Sequence, residues 1–285
     1  MTAGTRMLAS AAELYAIESG EGPPLLLLHG VTANAYIWLP VMELLADSYR
    51  CVAIDQRGHG RTGMPRDDRF DAAAYARDAA DLAALIGRGP VVLVGHSLGA
   101  RNAIVAGAMR PDAIAGVVAI EFTPFIDKAA FDALDSRVTG GPRSFGDLGD
   151  LTGYLSRRYP GLPPDAVSRR ARHGYAARSD GRLAPLADMG AMRATCAGLR
   201  EDLAADLGRL AVPAVLVRGA GSQFVSDQAF AAARALRPDL PGVTVDRADH
   251  YVPEEQPAEV AQVIREFTAG MADSEATPPN RRSPG

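Results

Sequence analysis

Residues 91–100 read Val91-Val-Leu-Val-Gly-His-Ser-Leu-Gly-Ala100, an apolar run that enters Gly95-His96-Ser97-Leu98-Gly99 and leaves as an Ala-rich stretch. Four consecutive apolar residues closed by glycine predict a strand buried on both faces, and residues 98–109 carry the period of a helix. A strand that turns into a helix across a single Gly-x-Ser-x-Gly step needs minimal side chains on both flanks of the serine. The turn would stand the Ser97 hydroxyl at the sheet edge beneath a helix N-terminus, where a nucleophile belongs.

Working outward, similar short apolar runs recur at 25–28, 51–54, 116–120, 214–217 and 243–245. Helical patterns at 75–86, 227–236 and 258–267 lie between or after them. This alternation predicts an α/β class, a mostly parallel central sheet with helices on both faces. One interval breaks the rhythm. From 124 to 210 no convincing strand is visible, only polar helical stretches rich in Arg and Tyr, which predicts an inserted helical cap. The core is then 1–123 and 211–272, and the Pro-rich, polar residues 273–285 are expected to form a disordered tail.

Composition narrows the partners. The 285 residues are 47% apolar and 22% charged, enough to bury a sizeable core and to exclude wholesale disorder. A net charge of −4 gives no electrostatic reason to expect nucleic acid or an anionic membrane. Lys128 is the one lysine, so 29 of the 30 basic side chains are arginine, whose planar fork grips carboxylates through two parallel hydrogen bonds. Cys51 and Cys196 cannot form a disulfide framework, and no stretch approaches about 18 uninterrupted apolar residues. The opening residues contain Glu13 and lack a sustained apolar run, so a cytoplasmic location is expected.

A serine hydroxyl needs a base, and in this architecture the order along the chain is serine, acid, histidine. Of five histidines, His250 alone follows the last expected strand, and it is the expected base. The acid has two candidates. Glu121 stands at the end of the strand at 116–120, where active-site residues of open α/β sheets gather. After the strand at 214–217 the loop offers Ser222 where an aspartate would be sought, and Asp227 is the first downstream acid. Glu121 is preferred, as an orienter of the imidazole that stabilises its charged form. An oxyanion hole needs two backbone N–H groups, here expected from Leu98 and from Val31 in the loop His29-Gly30-Val31-Thr32. His29 and the loop at 55–60 read as structural supports. No cluster has metal-ligand spacing and no nucleotide-binding fingerprint appears, so neither metal nor cofactor is expected.

With Ser97, His250 and the His29-Gly30 loop in place, the chain resembles the α/β-hydrolase superfamily along nearly its whole folded length. Beyond the general motifs it is similar to the (E)-2-(acetamidomethylene)succinate hydrolases of vitamin B6 degradation. The likeness rests on Ile54-Asp-Gln-Arg-Gly-His-Gly60, Gly95-His-Ser-Leu-Gly-Ala-Arg-Asn102, Val118-Ala-Ile-Glu-Phe-Thr-Pro124, Tyr154-Leu-Ser-Arg-Arg-Tyr-Pro160, Gly198-Leu-Arg-Glu-Asp-Leu203 and Ala248-Asp-His-Tyr251. The resemblance implies hydrolysis of the amide C–N bond of a small dicarboxylate enamide. It also places the acid before the cap, which favours Glu121, although the family's acid is normally aspartate. It further implies that Arg137, Arg158, Tyr159 and Tyr251 hold the substrate's carboxylates, whereas Arg169, Arg170 and Arg172 read as solvated helix faces. A small-molecule carboxylate is the expected partner, with no nucleic acid and no membrane, and a homodimer is compatible with this reading. The rivals are another cofactor-free hydrolase of the fold (a carboxylesterase, lactonase or carbon–carbon bond hydrolase) and a non-catalytic binder of small acids.

Overall fold

The structure, a computed structural model, describes residues 4–8 and 13–276. A single sheet of eight strands runs through it, in the spatial order β1 (Gly4–Leu8), β2 (Leu14–Ser19), β4 (Arg50–Ile54), β3 (Pro24–Leu28), β5 (Val91–His96), β6 (Ile114–Ile120), β9 (Ala214–Gly219) and β10 (Gly242–Val245). From β4 to β10 every neighbouring pair is parallel, and β2 alone runs against its neighbours. The parallel sheet expected from the alternation is therefore present, and the first two strands extend it as an antiparallel edge. That edge is not legible in the pattern, because β2 carries only Leu14, Ala16 and Ile17 as buried residues between half-exposed ones.

The pleat explains the two-sided burial. Leu26, Leu28, Val52, Ile54, Leu93 and Ala119 point to one face, while Leu25, Leu27, Ala53, Val94, Val118 and Ile120 point to the other. The first face is covered by α2 (Ala72–Ile86) and α3 (Leu98–Met109), whose Ala76, Ala79, Ala83, Ala100 and Ala103 let the helix backbones approach closely. The second is covered by α1 (Leu39–Leu45) and α11 (Pro257–Ala276) through Val41, Leu45, Val260 and Ile264. Cys51 is one of these core side chains, and burial pushes its thiol up to about 12, so it stays an unreactive thiol. No helix among the described residues is long and apolar enough to cross a membrane.

Strands β6 and β9 are hydrogen-bonded neighbours although 93 residues lie between Ile120 and Ala214, and the intervening chain forms an insertion above the C-terminal strand ends. It holds α4 (Lys128–Thr139), α5 (Leu148–Arg158), α6 (Pro164–Gly174), α7 (Met189–Gly198) and α8 (Ala204–Gly208), and after it come α9 (Asp227–Leu236), between β9 and β10, and the single turn α10 (Val252–Glu255) before α11. It also holds a short antiparallel pair, β7 (Tyr175–Ala177) and β8 (Leu183–Pro185), which corrects the expectation that this interval is free of strand. Three residues that are half or fully exposed cannot print an alternating pattern. Helix α11 continues past 272 to Ala276, four residues into the expected tail, and the rest of that tail lies outside the described residues.

The step from β5 into α3 leaves a single residue, Ser97, between them, with φ 54° and ψ −113°. A Cβ on Gly95 would meet the Gly99 carbonyl oxygen at 2.2 Å, and one on Gly99 would meet the Leu28 carbonyl oxygen at 2.1 Å. Neither backbone contact can yield without parting α3 from the sheet. Gly99→Ala is expected to destabilise the fold by about 3 kcal/mol or more, at or beyond the upper end for an inserted methylene. Urea unfolding of the purified variant measures it, and an unchanged midpoint would refute this account of the turn.

Candidate active site

Because Leu28 is in register with Gly95, the loops after β3 and β5 leave the sheet side by side. A Cβ on Gly30 would lie 3.2 Å from that of Ser97, so the 29–31 backbone passes directly over the serine. Leu98 is the first residue of α3, and its N–H has no acceptor within the helix. Val31, half-buried, follows Gly30 in the same loop. A buried chain of hydrogen bonds holds this loop from behind. His29 donates from Nδ1 to the Gly30 carbonyl at 2.7 Å and accepts at Nε2 from the Gln56 N–H at 3.0 Å. The Gln56 amide donates to the His29 carbonyl at 2.6 Å and accepts from Asn102 at 2.7 Å.

His250 follows β10, and its ring lies beside those of His96 and Phe224. Its Nδ1–H donates to Oε2 of Glu121 at 3.0 Å, which fixes the tautomer and leaves the lone pair on Nε2. Glu121 is wholly buried, with Oε1 accepting from the Gly219 N–H and Oε2 from the Ser222 hydroxyl, both at 2.7 Å. Asp227, the other acid candidate, is on the outside: its side chain is 98% exposed and pairs with Arg218. The structure thus brings Glu121, not Asp227, to the imidazole. Glu121 leaves the strand end with a left-handed backbone, φ 61°. Burial raises the Glu121 carboxyl to about 8 against the pull of Ser222 and Gly219, and lowers the imidazole of His250 to about 3, with Arg137 acting in the same direction. The ring is therefore neutral at rest, with its one proton on Nδ1 and its lone pair on Nε2, the form that a general base requires.

A cavity of about 250 Å³ opens beside His250, walled by Leu134, Phe224 and Tyr251 and carrying the guanidinium-bearing side chain of Arg137. Arg137 comes from the last turn of α4 and lies 5.9 Å from the Tyr251 ring centre. Arg158, at the end of α5, donates to the Tyr154 hydroxyl at 2.9 Å, to the Tyr159 hydroxyl at 3.3 Å and to the backbone carbonyl of Arg137. Tyr159 and Tyr251 meet edge to face with centres 5.3 Å apart. All four carboxylate-holding candidates are therefore gathered on the insertion side of His250.

Three features were not foreseen. Arg170 is buried, not solvated: it forms a bidentate ion pair with buried Glu254 and lies 4.4 Å and 4.8 Å from the rings of Tyr159 and Tyr251. Burial pushes the Tyr159 phenol up, but Arg170 and Arg158 outweigh it and hold it below its ordinary value. A signal for Arg170 exists in the sequence, since it continues the buried stripe Ala166, Val167, Arg170, Ala171 of α6. Arg172 is exposed as expected, whereas Arg169 is not: its side chain is only 12% exposed and pairs with Asp165. The second feature is His96, which donates from Nε2 to the His250 carbonyl at 2.7 Å and so ties the serine turn to the base loop. The third is Phe224, whose ring meets that of His250 edge to face at 4.8 Å. Nothing in local sequence pattern marks a residue 26 positions away as the wall of an imidazole.

Comparison with known proteins finds relatives in both sequence and fold. The model of the alpha/beta hydrolase family matches residues 25–263. The 2-(acetamidomethylene)succinate hydrolase of Mesorhizobium japonicum is 45% identical over 250 residues, 88% of this chain and 89% of that protein. A crystal structure of E-2-(acetamidomethylene)succinate hydrolase superposes with a TM-score of 0.90 at 42% identity, over 94% of this chain and 100% of the other. An esterase of Mycobacterium tuberculosis is 27% identical over 252 residues, 86% of this chain and 83% of its own length.

Two stability outcomes follow from the buried charges. Arg170→Met leaves Glu254 buried without its partner and is expected to cost about 3–5 kcal/mol, most of it regained in the Arg170→Met/Glu254→Met double variant. Chemical denaturation of the three proteins reads this, and equal losses in single and double variants would refute it. For Glu121, a folded pKa near 8 lies above the ordinary 4.5, so its contribution is full below the lower value and is lost as pH rises through the upper one. Wild type should therefore lose stability relative to Glu121→Gln between these two pH values and level off above them. A constant difference across that window would contradict the upward shift that burial imposes on the carboxyl.

Proposed function

The chain belongs to the alpha/beta hydrolase family, and from that premise we propose that this hydrolase cleaves the amide C–N bond of a small dicarboxylate enamide such as (E)-2-(acetamidomethylene)succinate. The observation that carries the reading is the meeting of the Ser97 turn with the His250–Glu121 pair beside a cavity that holds Arg137. The name and 45% identity of the Mesorhizobium relative support the substrate class. In this reading residues 124–210 cap the core, the partner is a small carboxylate, and the enzyme works in the cytoplasm.

The Ser97 Oγ attacks the acyl carbonyl while its proton passes to Nε2 of His250, the nitrogen that carries the lone pair. The Val31 and Leu98 N–H groups hold the oxygen as it becomes negative, a service worth about 3–4 kcal/mol per donor in related sites. Glu121 keeps the ring in the required tautomer and stabilises it once charged. His250 then gives the proton to the departing nitrogen, and water releases the acyl group as acetate. The enamine left behind takes up water, loses ammonia, and as a β-formyl acid loses carbon dioxide to give succinic semialdehyde. Arg137, with Arg158, Tyr159 and Tyr251 around it, holds the two carboxylates away from the serine.

Purified protein is expected to release acetate and succinic semialdehyde from (E)-2-(acetamidomethylene)succinate, and Ser97→Ala to abolish it. Arg137→Ala should lower kcat/KM about 10- to 100-fold, chiefly through KM, as loss of a charge-assisted bond predicts. Turnover of the best substrate that survives both Arg137→Ala and Arg158→Ala unchanged would overturn the dicarboxylate reading. Ser97-dependent cleavage of an activated ester without cleavage of the enamide would retain the serine hydrolase and discard this substrate.

A further inference from the structure

The loop after β9 carries Ser222 where an acid was sought, and its side chain is 96% withdrawn from solvent at 4% exposure. Its hydroxyl donates at 2.7 Å to Oε2 of Glu121, the same oxygen that accepts the Nδ1–H of His250 at 3.0 Å. The Oγ also accepts the Val225 N–H at 3.0 Å, so its proton is directed to the carboxylate and has no second use. On the other side the Gly219 N–H donates to Oε1 at 2.7 Å. A glutamate reaches one methylene further than an aspartate and has one more torsion to fix. These two donors, both from the β9 side of the sheet, stop that longer side chain at a single position.

We propose that Ser222 is a positioning residue for the catalytic carboxylate, holding Oε2 of Glu121 at hydrogen-bonding distance from His250 and favouring its charged form as the imidazole takes up the serine's proton. The proposal rests on the serine–histidine–glutamate reading above and adds a fourth member that touches neither substrate nor serine. It accounts for glutamate at position 121: the loop after β9 supplies a donor, and the acid reaches across to it from β6. The titratable and charged groups facing the carboxylate are His250 itself, Arg218, Asp249 and Glu255, and Ser222 is the side chain that donates to it without a charge, beside the Gly219 N–H.

The test uses the rate at which a fluorophosphonate probe labels Ser97, which reports on the activated serine whatever the natural substrate. Ser222→Ala is expected to slow labelling about tenfold or more, the size of a lost bond to a charged group. It should also move the acid limb of the pH–rate profile upward, because a carboxyl that has lost a donor ionises less readily. In a Glu121→Gln background the same substitution should add less than about twofold, since the residue acts through the carboxylate. Ser222→Cys, which keeps the volume but donates weakly, is expected to behave like alanine and serves if Ser222→Ala does not fold. An unmoved pH profile, or the same loss with and without Glu121, would reduce Ser222 to packing and overturn the proposal. Wild type that fails to label at Ser97 would instead sink the serine hydrolase reading and this inference with it, whereas labelling without enamide cleavage would leave this inference standing.

Discussion

The buried carboxylate of Glu121 is the point at which the C-terminal edge of the sheet closes on itself. It accepts from Gly219 at the end of β9, from Ser222 in the following loop and from His250 after β10. The circuit continues beyond it. His96 donates to the His250 carbonyl, Ser97 donates its N–H to the carbonyl of Ile120 at 2.8 Å, and Ile120 is covalently joined to Glu121. A circuit of hydrogen and covalent bonds therefore runs from the serine turn through His96 to the His250 loop, on to Glu121 and back, and each member restrains the next. A carboxyl in this position without its donors would cost several kcal/mol to bury, so the loops and the acid stabilise one another or fail together.

The same edge concentrates backbone strain. Thr32, Ser97 and Glu121 follow the adjacent strands β3, β5 and β6, and their φ angles are 62°, 54° and 61°. Side chains with a Cβ avoid this region, at roughly 1–3 kcal/mol each where they are forced into it. The parallel ladder beneath over-determines them: Leu28, Gly95 and Ala119 are paired across three strands, so none of the exits can relax alone. The strain aims the chain upward from the sheet at three neighbouring points, which is where the serine, its facing N–H groups and the acid are needed.

The insertion contributes charge rather than backbone. Arg170 of α6 pairs with Glu254, four residues past His250, and lies against the faces of both Tyr159 and Tyr251. Arg158 joins α5 to α4 by donating to the Arg137 carbonyl. A positive, aromatic wall is thus built over His250 from four separate elements. Burial first, and this charge with it, opposes protonation of the resting imidazole, and the same charge would suit the anionic substrate proposed above.

Residues 91–99 were enough to place the nucleophile turn, because a buried strand, two obligatory glycines and a helix are local requirements written in adjacent residues. The parallel core strands, the flanking helices and the place of His250 after the last strand were legible for the same reason, through period and chain order. The antiparallel edge and the β7–β8 pair were not, since half-exposed or three-residue strands leave no period to read. Local pattern left Glu121 and Asp227 as rivals, because both follow strands that end at the same edge. Their separation depended on side-chain direction: one carboxylate turns inward to two donors and an imidazole, while the other faces solvent beside Arg218. Arg170 was misread because a charge in sequence says nothing of the Glu254 that stands 84 residues away to receive it. Sequence determined which groups the protein has to work with, and tertiary structure decided which of them face one another, because burial and long-range pairing are set by the packing of distant segments.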